Sequence, residues 1–122
     1  MDNLPQGFAT EKILRTWTFW IPTHEHDECR AYMEGVKLPQ INAAPGAERA
    51  TAIFRDLGDG STEVAVISIW ESMDMIRRFV TNEHLPSIHP DHRAKLIDRE
   101  PVVRHEPISD DHVFSLMPAE WR

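Results

Sequence analysis

Histidine is the residue type in this sequence that most invites a chemical role. Seven of the 122 residues are histidine, and five of the seven fall into two groups. One group is His24 with His26, and the other is His84, His89 and His92. Because imidazole changes its protonation near neutral pH and also ligates metals, each group is a candidate for acid–base chemistry or for a metal site.

The second histidine group has a spacing that suits a metal. A short helix would place His89 and His92 on one side, with Asp91 or Glu83 available to complete the shell of a divalent cation. Histidines near prolines are more often solvated or capping groups, and the polarity of a helix start is the plainer explanation for His24. We therefore predict no bound metal.

Aromatic side chains indicate a site that binds a ligand by stacking. The predicted elements place six aromatic side chains where they line a flat apolar slot between sheet and helices, although core packing is the plainer explanation for most of them. They are Trp17, Phe19, Trp20, Phe54, Trp70 and Phe79. On the first predicted strand, threonine hydroxyls share a face with an indole, a mixture that suits a planar aromatic compound. The predicted substrate-binding residues are Trp20, Trp70, Phe79 and Thr18.

Charge and composition exclude several classes of partner. Twenty acidic residues against thirteen basic ones leave a net charge of −7, and no basic cluster offsets it, so we predict no nucleic-acid partner. The longest stretch without a charged side chain, 38–47, has ten residues, whereas a membrane-spanning helix needs about 18. Cys29 is the single cysteine and no secretory signal pattern is visible, so a cytoplasmic location is expected.

The hydrophobic pattern predicts a single domain with the element order β-α-β-β-α-β. We expect an N-terminal arm over 1–11, the domain over 12–108 and a C-terminal tail over 109–122. The predicted strands are 12–22, 50–57, 62–70 and 102–108. This order most simply forms an α+β, ferredoxin-like fold, a four-stranded antiparallel sheet with both helices on one face.

The two predicted helices show apolar faces at helical spacing. The first begins at Thr23 and ends near Pro39, with an apolar face formed by Cys29, Tyr32, Met33 and Val36. The second begins after the cap residue Ser72 and fades near Asn82. Its apolar stripe is Met73, Ile76, Phe79 and Val80.

Two of the strands are apolar on both sides, which two helices on one face cannot cover. On strand three, Val64, Val66 and Trp70 point one way, whereas Ile67 and Ile69 point the other. A sheet wetted on its open face alternates apolar and polar residues more cleanly. We therefore predict a homodimer in which the open sheet faces of two copies pack together.

Three segments together resemble a known family. They are the strand–helix run VAVISIWESMDMIRRFV at 64–80, His89, and the closing strand REPVVRHEPI at 99–108. They resemble the antibiotic-biosynthesis-monooxygenase superfamily, and the likeness covers 15–108. The resemblance implies a dimeric α/β barrel. Its most specific part is Ile69-Trp70-Glu71-Ser72, a strand end, an acidic residue and a helix cap in succession.

The resemblance implies a chemistry as well as a fold. In the cofactor-free oxygenases of this superfamily the substrate supplies the electrons after deprotonation, and the protein supplies a base, a dry cavity and positioning. We therefore expect a monooxygenase-like protein that uses no organic cofactor and acts on a small hydrophobic or aromatic compound. His89 and His24 are the candidate catalytic bases, and the candidate walls of the substrate pocket are Trp70, Trp20 and Phe79.

Two alternatives stay open. The first is a module without catalysis that binds a small ligand. The second is a haem or metal binder through His89, since the haem-degrading branch ligates iron through a histidine at that position. The same branch carries a tryptophan where this sequence has Phe79 and an asparagine on strand one, where this sequence has none.

Overall fold

The computed structural model describes residues 12–80, 102–108 and 118–121. Four strands and three α-helices lie within these ranges, together with one π-helical turn and two 3-10 turns. The strands are β1 (Ile13–Pro22), β2 (Ala47–Asp56), β3 (Ser61–Trp70) and β4 (Val102–Pro107). The α-helices are α1 (His26–Tyr32), α2 (Leu38–Asn42) and α3 (Met73–Phe79). The π turn is Met33–Lys37, and the 3-10 turns are Thr23–Glu25 and Ala119–Trp121.

The four strands form one antiparallel sheet in the order β2-β3-β1-β4, which confirms the predicted ferredoxin-like arrangement. The β2–β3 hairpin turns through Gly58 and Gly60, whose φ angles are +84° and +89°. Side chains disfavour such angles, so the glycines allow the tight reversal that their spacing predicts.

Strand pairing assigns each strand residue to one of two faces. Ile13 pairs with Trp70 and Trp17 pairs with Val66, and these side chains form the buried core beneath the helices. We call this side the covered face. Leu14 pairs with Ile69 on the opposite side, which no described helix covers and which we call the open face. Both faces carry large apolar side chains, as the two-sided pattern of strands one and three predicts.

The first helical region differs from the prediction in its length. It continues through Pro39 to Asn42, whereas the sequence pattern ends it near Pro39. Proline cannot donate the backbone hydrogen bond to the residue four before it, here Gly35, and its ring crowds that carbonyl. The backbone widens into a π turn at this point, and the Leu38 N–H donates to the carbonyl of Met33, five residues earlier.

The π turn also corrects the predicted apolar face of this helix. The apolar pattern predicts that Val36 is buried, but Val36 is 53% exposed. Met33 is buried as predicted, and Lys37 and Ile41 are the further buried positions of this region. The π turn holds one more residue than an α-helical turn. The inward-facing position therefore falls on Lys37, where an α-helical period places Val36.

The second predicted helix is confirmed, with its cap. The hydroxyl of Ser72 accepts a hydrogen bond from the backbone N–H of Met75 at 3.4 Å, and Met73 and Ile76 are buried. This short helix begins immediately beyond the end of β3, so it holds Phe79 close to Trp70. No helix among the described residues has the length and apolar character to cross a membrane.

Candidate functional site

An aromatic pair lies between the sheet and the helices. Trp70, at the end of β3, is 1% exposed, and its ring centroid lies 5.3 Å from that of Phe79 with a tilt of 43°. The indole N–H of Trp70 donates to the hydroxyl of Ser68 at 2.8 Å. Since a buried indole N–H needs a partner, Ser68 fixes the orientation of the ring. Trp70 and Phe79, two predicted substrate-binding residues, are therefore in contact.

A buried arginine lies in the same layer. Arg15 is in phase with Ile13 and Trp17 on β1, so its side chain points to the covered face, where it is 2% exposed. Its Nη1 lies 2.7 Å from Nε2 of His105, which it faces across the β1–β4 pair. Because guanidinium only donates, this ring nitrogen is the acceptor in the contact.

Lys37 is the second buried cation-forming group on the covered face. It is 8% exposed, its Nζ lies 3.5 Å from Oε1 of Gln40, and the same atom lies 6.0 Å from the ring centroid of Phe79. Burial lowers the pKa of Lys37 below its ordinary value, and the charge of Arg15 lowers it further. The amine therefore loses its proton more readily than a lysine in water.

Sequence reasoning missed both Arg15 and Lys37 as site residues. The signal for Arg15 was available, because the alternation of β1 puts it in phase with Trp17. The signal for Lys37 was weaker. Pro39 stands four residues after Gly35, a spacing that permits a helix to widen and change phase, and neither residue by itself predicts that it does.

The open face carries a separate groove with a volume of about 360 Å³. Thr18 and Trp20 lie together in it, in the hydroxyl-and-indole arrangement expected for β1. They are on the side of the sheet opposite to Trp70 and Phe79, so the structure divides the four predicted substrate-binding residues into two pairs. The groove is lined by Thr16, Thr18, Trp20, Ile67, Val102, Arg104 and Glu106.

His24 lies far from the aromatic pair. It belongs to the 3-10 turn that follows β1, its side chain is 79% exposed, and its Nε2 lies 3.7 Å from Oε1 of Glu25. Trp70 pairs with Ile13 at the other end of β1, and nine steps of about 3.3 Å separate the two ends of that strand. The structure therefore does not bring His24 to the covered-face cluster.

His26 ties the start of α1 to the end of β2. Its Nδ1 lies 3.0 Å from Oδ1 of Asp56, its Nε2 lies 3.1 Å from Nη2 of Arg30, and its ring stacks on Phe54. Hydrogen bonds from Thr62 and His26 lower the pKa of the Asp56 carboxyl. Every imidazole nitrogen has a neighbour here, which gives His26 a structural role in joining helix to hairpin.

All three histidines of the candidate metal group, His84, His89 and His92, lie outside the described residues, as do Asp91 and Glu83. His89 as a base or haem ligand therefore stays a prediction. Within 12–80, 102–108 and 118–121, no cluster of three or more histidine, cysteine or acidic side chains could hold a metal ion.

The C-terminal 3-10 turn returns to the open face. Trp121 packs against the cluster of Leu14, Ile67 and Ile69, and the guanidinium of Arg49 lies 5.9 Å from its ring centroid. The segment covers one end of the face, and the groove around Trp20 occupies another part.

No family model and no curated protein matches the sequence. Solved structures do match the fold. A putative antibiotic biosynthesis monooxygenase from Bacillus cereus aligns at 17% identity over 79% of this chain and 93% of that chain, with a TM-score of 0.54. A monooxygenase from Streptomyces coelicolor, solved in complex with nanaomycin D, aligns at 17% identity over 80% and 88%, with a TM-score of 0.57.

A protein of unknown function from Nitrosomonas europaea also aligns, at 12% identity over 81% of this chain and 90% of that chain, with a TM-score of 0.57. At these identities the comparisons establish the fold, which is the fold that the segment 64–80 indicated. The same fold carries more than one chemistry, so the function has to be argued from the side chains.

Proposed function

We propose that this chain, which has the fold of the antibiotic-biosynthesis-monooxygenase-like proteins, binds a small planar aromatic compound on the covered face and oxidises it with molecular oxygen without an organic cofactor. The observation that carries the proposal is the placement of Arg15 and Lys37 in the same covered-face layer as the Trp70–Phe79 pair, among mostly apolar side chains.

Buried cations are an unusual choice for the interior of a small protein. Removing a charged group from water costs several kcal/mol unless its partners replace the lost hydration. A core of this size is more easily built from aliphatic side chains, so two such groups beside a pair of aromatic rings favour a site that recognises a ring with an anionic oxygen. The rings supply stacking, and the cations supply the charge that an oxyanion needs.

The chemistry requires little from the protein. A phenolic compound with an activated methylene group reacts as R₂CH₂ + O₂ → R₂C=O + H₂O, and the substrate supplies all four electrons. The protein has to remove a proton, stabilise the resulting anion and exclude bulk water. Arg15, Lys37 and the Trp70–Phe79 pair match these three tasks.

One structural neighbour supports the substrate class. The Streptomyces coelicolor monooxygenase was solved with nanaomycin D as its ligand. We extend from that protein to this one only the class of a planar aromatic ligand, because Trp70 and Phe79 offer a pair of rings suited to it.

We further propose that the working form is a homodimer joined through the open face. Ile53 and Val102 on this face are 45% and 42% exposed, and the groove beside Trp20 is apolar along much of its lining. A second copy presents the same face, so a two-fold contact would cover both grooves at once.

An oxygen-electrode assay tests the proposed activity. Purified protein, with a chelator and without flavin, is given anthrone, the keto tautomer of a phenol, which has an activated methylene. We expect one O₂ consumed per anthrone oxidised. Phe79→Leu keeps an apolar side chain but removes one ring, and should lower kcat/KM about tenfold, the value of one aromatic contact of roughly 1.4 kcal/mol.

Val36→Leu, on the exposed side of the helical region, is the matched control and should leave the rate unchanged. Binding of anthrone without oxygen uptake would overturn the catalytic proposal and favour the ligand-binding module. Equal rates in the Phe79→Leu and control variants would remove the covered face from the proposal.

A further inference from the structure

Lys37 occupies an environment that differs from that of Lys12, the other lysine among the described residues. The π turn directs it inward, and it is only 8% exposed. Its one hydrogen-bond partner among the described residues is the amide oxygen of Gln40 at 3.5 Å, a long contact. Lys12, by contrast, is 57% exposed and forms an ion pair with Glu48 at 3.0 Å.

The groups that face Lys37 come from three elements. Gln40 lies on the next turn of its own helical region, Phe79 comes from α3, and Arg15 comes from β1 with His105 of β4 behind it. The charged group among these is the guanidinium of Arg15, which is a cation. Among the described residues, no carboxylate forms an ion pair with Lys37. Burial and the neighbouring cation lower the pKa of Lys37, so this amine gives up its proton more readily than an exposed lysine and is suited to proton transfer.

We propose that Nζ of Lys37 removes the proton from the acidic hydroxyl group of the bound aromatic compound, and that Arg15 stabilises the oxyanion that results. This assignment rests on the proposed aromatic site. The O–H bond of the ligand breaks, its electron pair stays on oxygen, and the proton forms a new N–H bond on Lys37. No electron is transferred in this step, so it needs no oxidant.

Lys37 is better placed for this role than His24, the predicted catalytic histidine that lies among the described residues. His24 is exposed and lies beyond the other end of β1 from Trp70, whereas Lys37 lies against the ring of Phe79. A base acts only when it reaches the proton that it removes, and the position of Lys37 beside the aromatic pair satisfies that condition for a ring stacked there.

A chromophoric phenol distinguishes a base from a simple cation. The probe is 3-nitrophenol, used at a pH below its own pKa, so that the free compound is mostly un-ionised. Absorbance shows whether the bound probe is the phenol or the phenolate. Calorimetry in buffers of different ionisation enthalpy counts the protons released to solvent on binding.

For the wild-type protein we expect the phenolate spectrum and no proton released, because Lys37 keeps the proton. Lys37→Arg retains the cation but cannot accept a proton, so the phenolate spectrum should come with one proton released to the buffer. Lys37→Met should bind the un-ionised phenol. Lys12→Met is the matched control and should behave as the wild type.

Two outcomes overturn the assignment. One is a wild-type protein that releases a proton while binding the phenolate, which means that Lys37 was already charged. The other is a Lys37→Met variant that still binds the phenolate with no proton released, which means that another group is the base. Failure of the wild type to bind the probe overturns the proposed aromatic site itself, a result that is distinct from both.

Discussion

The two faces of the sheet are built from the same strands but differ in how far their side chains are buried. On the covered face, Trp17 is 1% exposed and packs among side chains of the helices. Three residues later on β1, Trp20 faces the other way and lines an open groove. The covered face lies beneath the helices of its own chain and holds the buried groups of Arg15 and Lys37. The open face mixes apolar side chains with polar ones such as Arg104 and Glu106, and Trp121 packs on one end of it.

The difference shows what a second layer of structure makes possible. A buried cation acquires an altered proton affinity only where water is excluded, and the helices exclude water from one face only. The open face has apolar side chains but no enclosed volume around them. Chemistry is therefore expected on the covered face, and association between copies on the open face.

The largest expected effect comes from truncating the tryptophan of the covered face. Trp17→Ala removes a fully buried ring and should lower the free energy of unfolding by about 3–5 kcal/mol. Trp20→Ala should cost much less, since its ring is only half buried in the monomer. Urea denaturation at concentrations that keep the chain monomeric measures both. Equal losses would erase the distinction between the faces.

The second effect concerns association through the open face. Ile53→Glu puts a charge where the second copy is proposed to pack, and should raise the dimer Kd at least about tenfold, which is roughly 1.4 kcal/mol. Val36→Glu changes a similarly exposed apolar residue on the helical side and should leave the Kd unchanged. Sedimentation equilibrium measures both, and a wild type that sediments only at 14.1 kDa contradicts the proposed dimer.

The third effect is a gain in stability. Lys37→Met removes a poorly paired buried amine, so the variant should be more stable than the wild type by about 1–2 kcal/mol at neutral pH. The folded-state pKa of Lys37 is lowered, so the unfolded chain binds more protons between that pKa and the ordinary value of 10.5. Wild-type stability should therefore rise with pH across that interval.

For Lys37→Met, the free energy of unfolding should rise less over the same pH range. Lys12→Met, which changes an exposed lysine, should keep the wild-type slope. Chemical denaturation at a series of pH values measures both slopes, and a Lys37→Met variant that is less stable than the wild type would show that the amine stabilises the fold.

The fourth effect tests the C-terminal cover of the open face. Trp121→Ala removes a half-buried ring and its contact with Arg49, and should lower the free energy of unfolding by about 1 kcal/mol. Arg49→Gln, which removes only the cation, should cost a smaller part of that amount. Thermal unfolding measures both variants, and no change in either would mean that the segment adds nothing to the stability of the open face.

The smallest effect is on acid stability. The pKa of Asp56 is lowered in the folded chain by its hydrogen bonds to Thr62 and His26, so the carboxylate stabilises the fold above its ordinary pKa. That contribution is lost as the pH falls through the folded-state pKa. Asp56→Asn should flatten the loss of stability in acid, and Asp74→Asn, on the exposed side of α3, should not.

Much of the fold could be predicted because its signals are local. Alternating apolar residues mark the strands, Gly58 and Gly60 mark the hairpin, and the Ser72 hydroxyl marks the start of α3. The two-sided apolar pattern of strands one and three also predicted the open face. Each signal acts over a few residues, so tertiary contacts reinforce it and do not override it.

The candidate site was less accessible from the sequence. Trp70 and Phe79 were predicted together and are in contact, but Trp20 and Thr18 lie on the opposite face from them. The composition of β1 shows which side chains are available, and its alternation separates Trp17 from Trp20. Which face receives the helices depends on the handedness of the connections, which no single strand encodes.

The sequence by itself determined the order of the elements, the register preference of each strand and the surplus of apolar surface. Only the tertiary structure decided that Arg15 and Lys37 lie in one layer, because they come from separate elements and the π turn advances the inward phase by one position. Local propensity acts over one or two turns. The electrostatic environment of a buried amine depends on every element that packs around it.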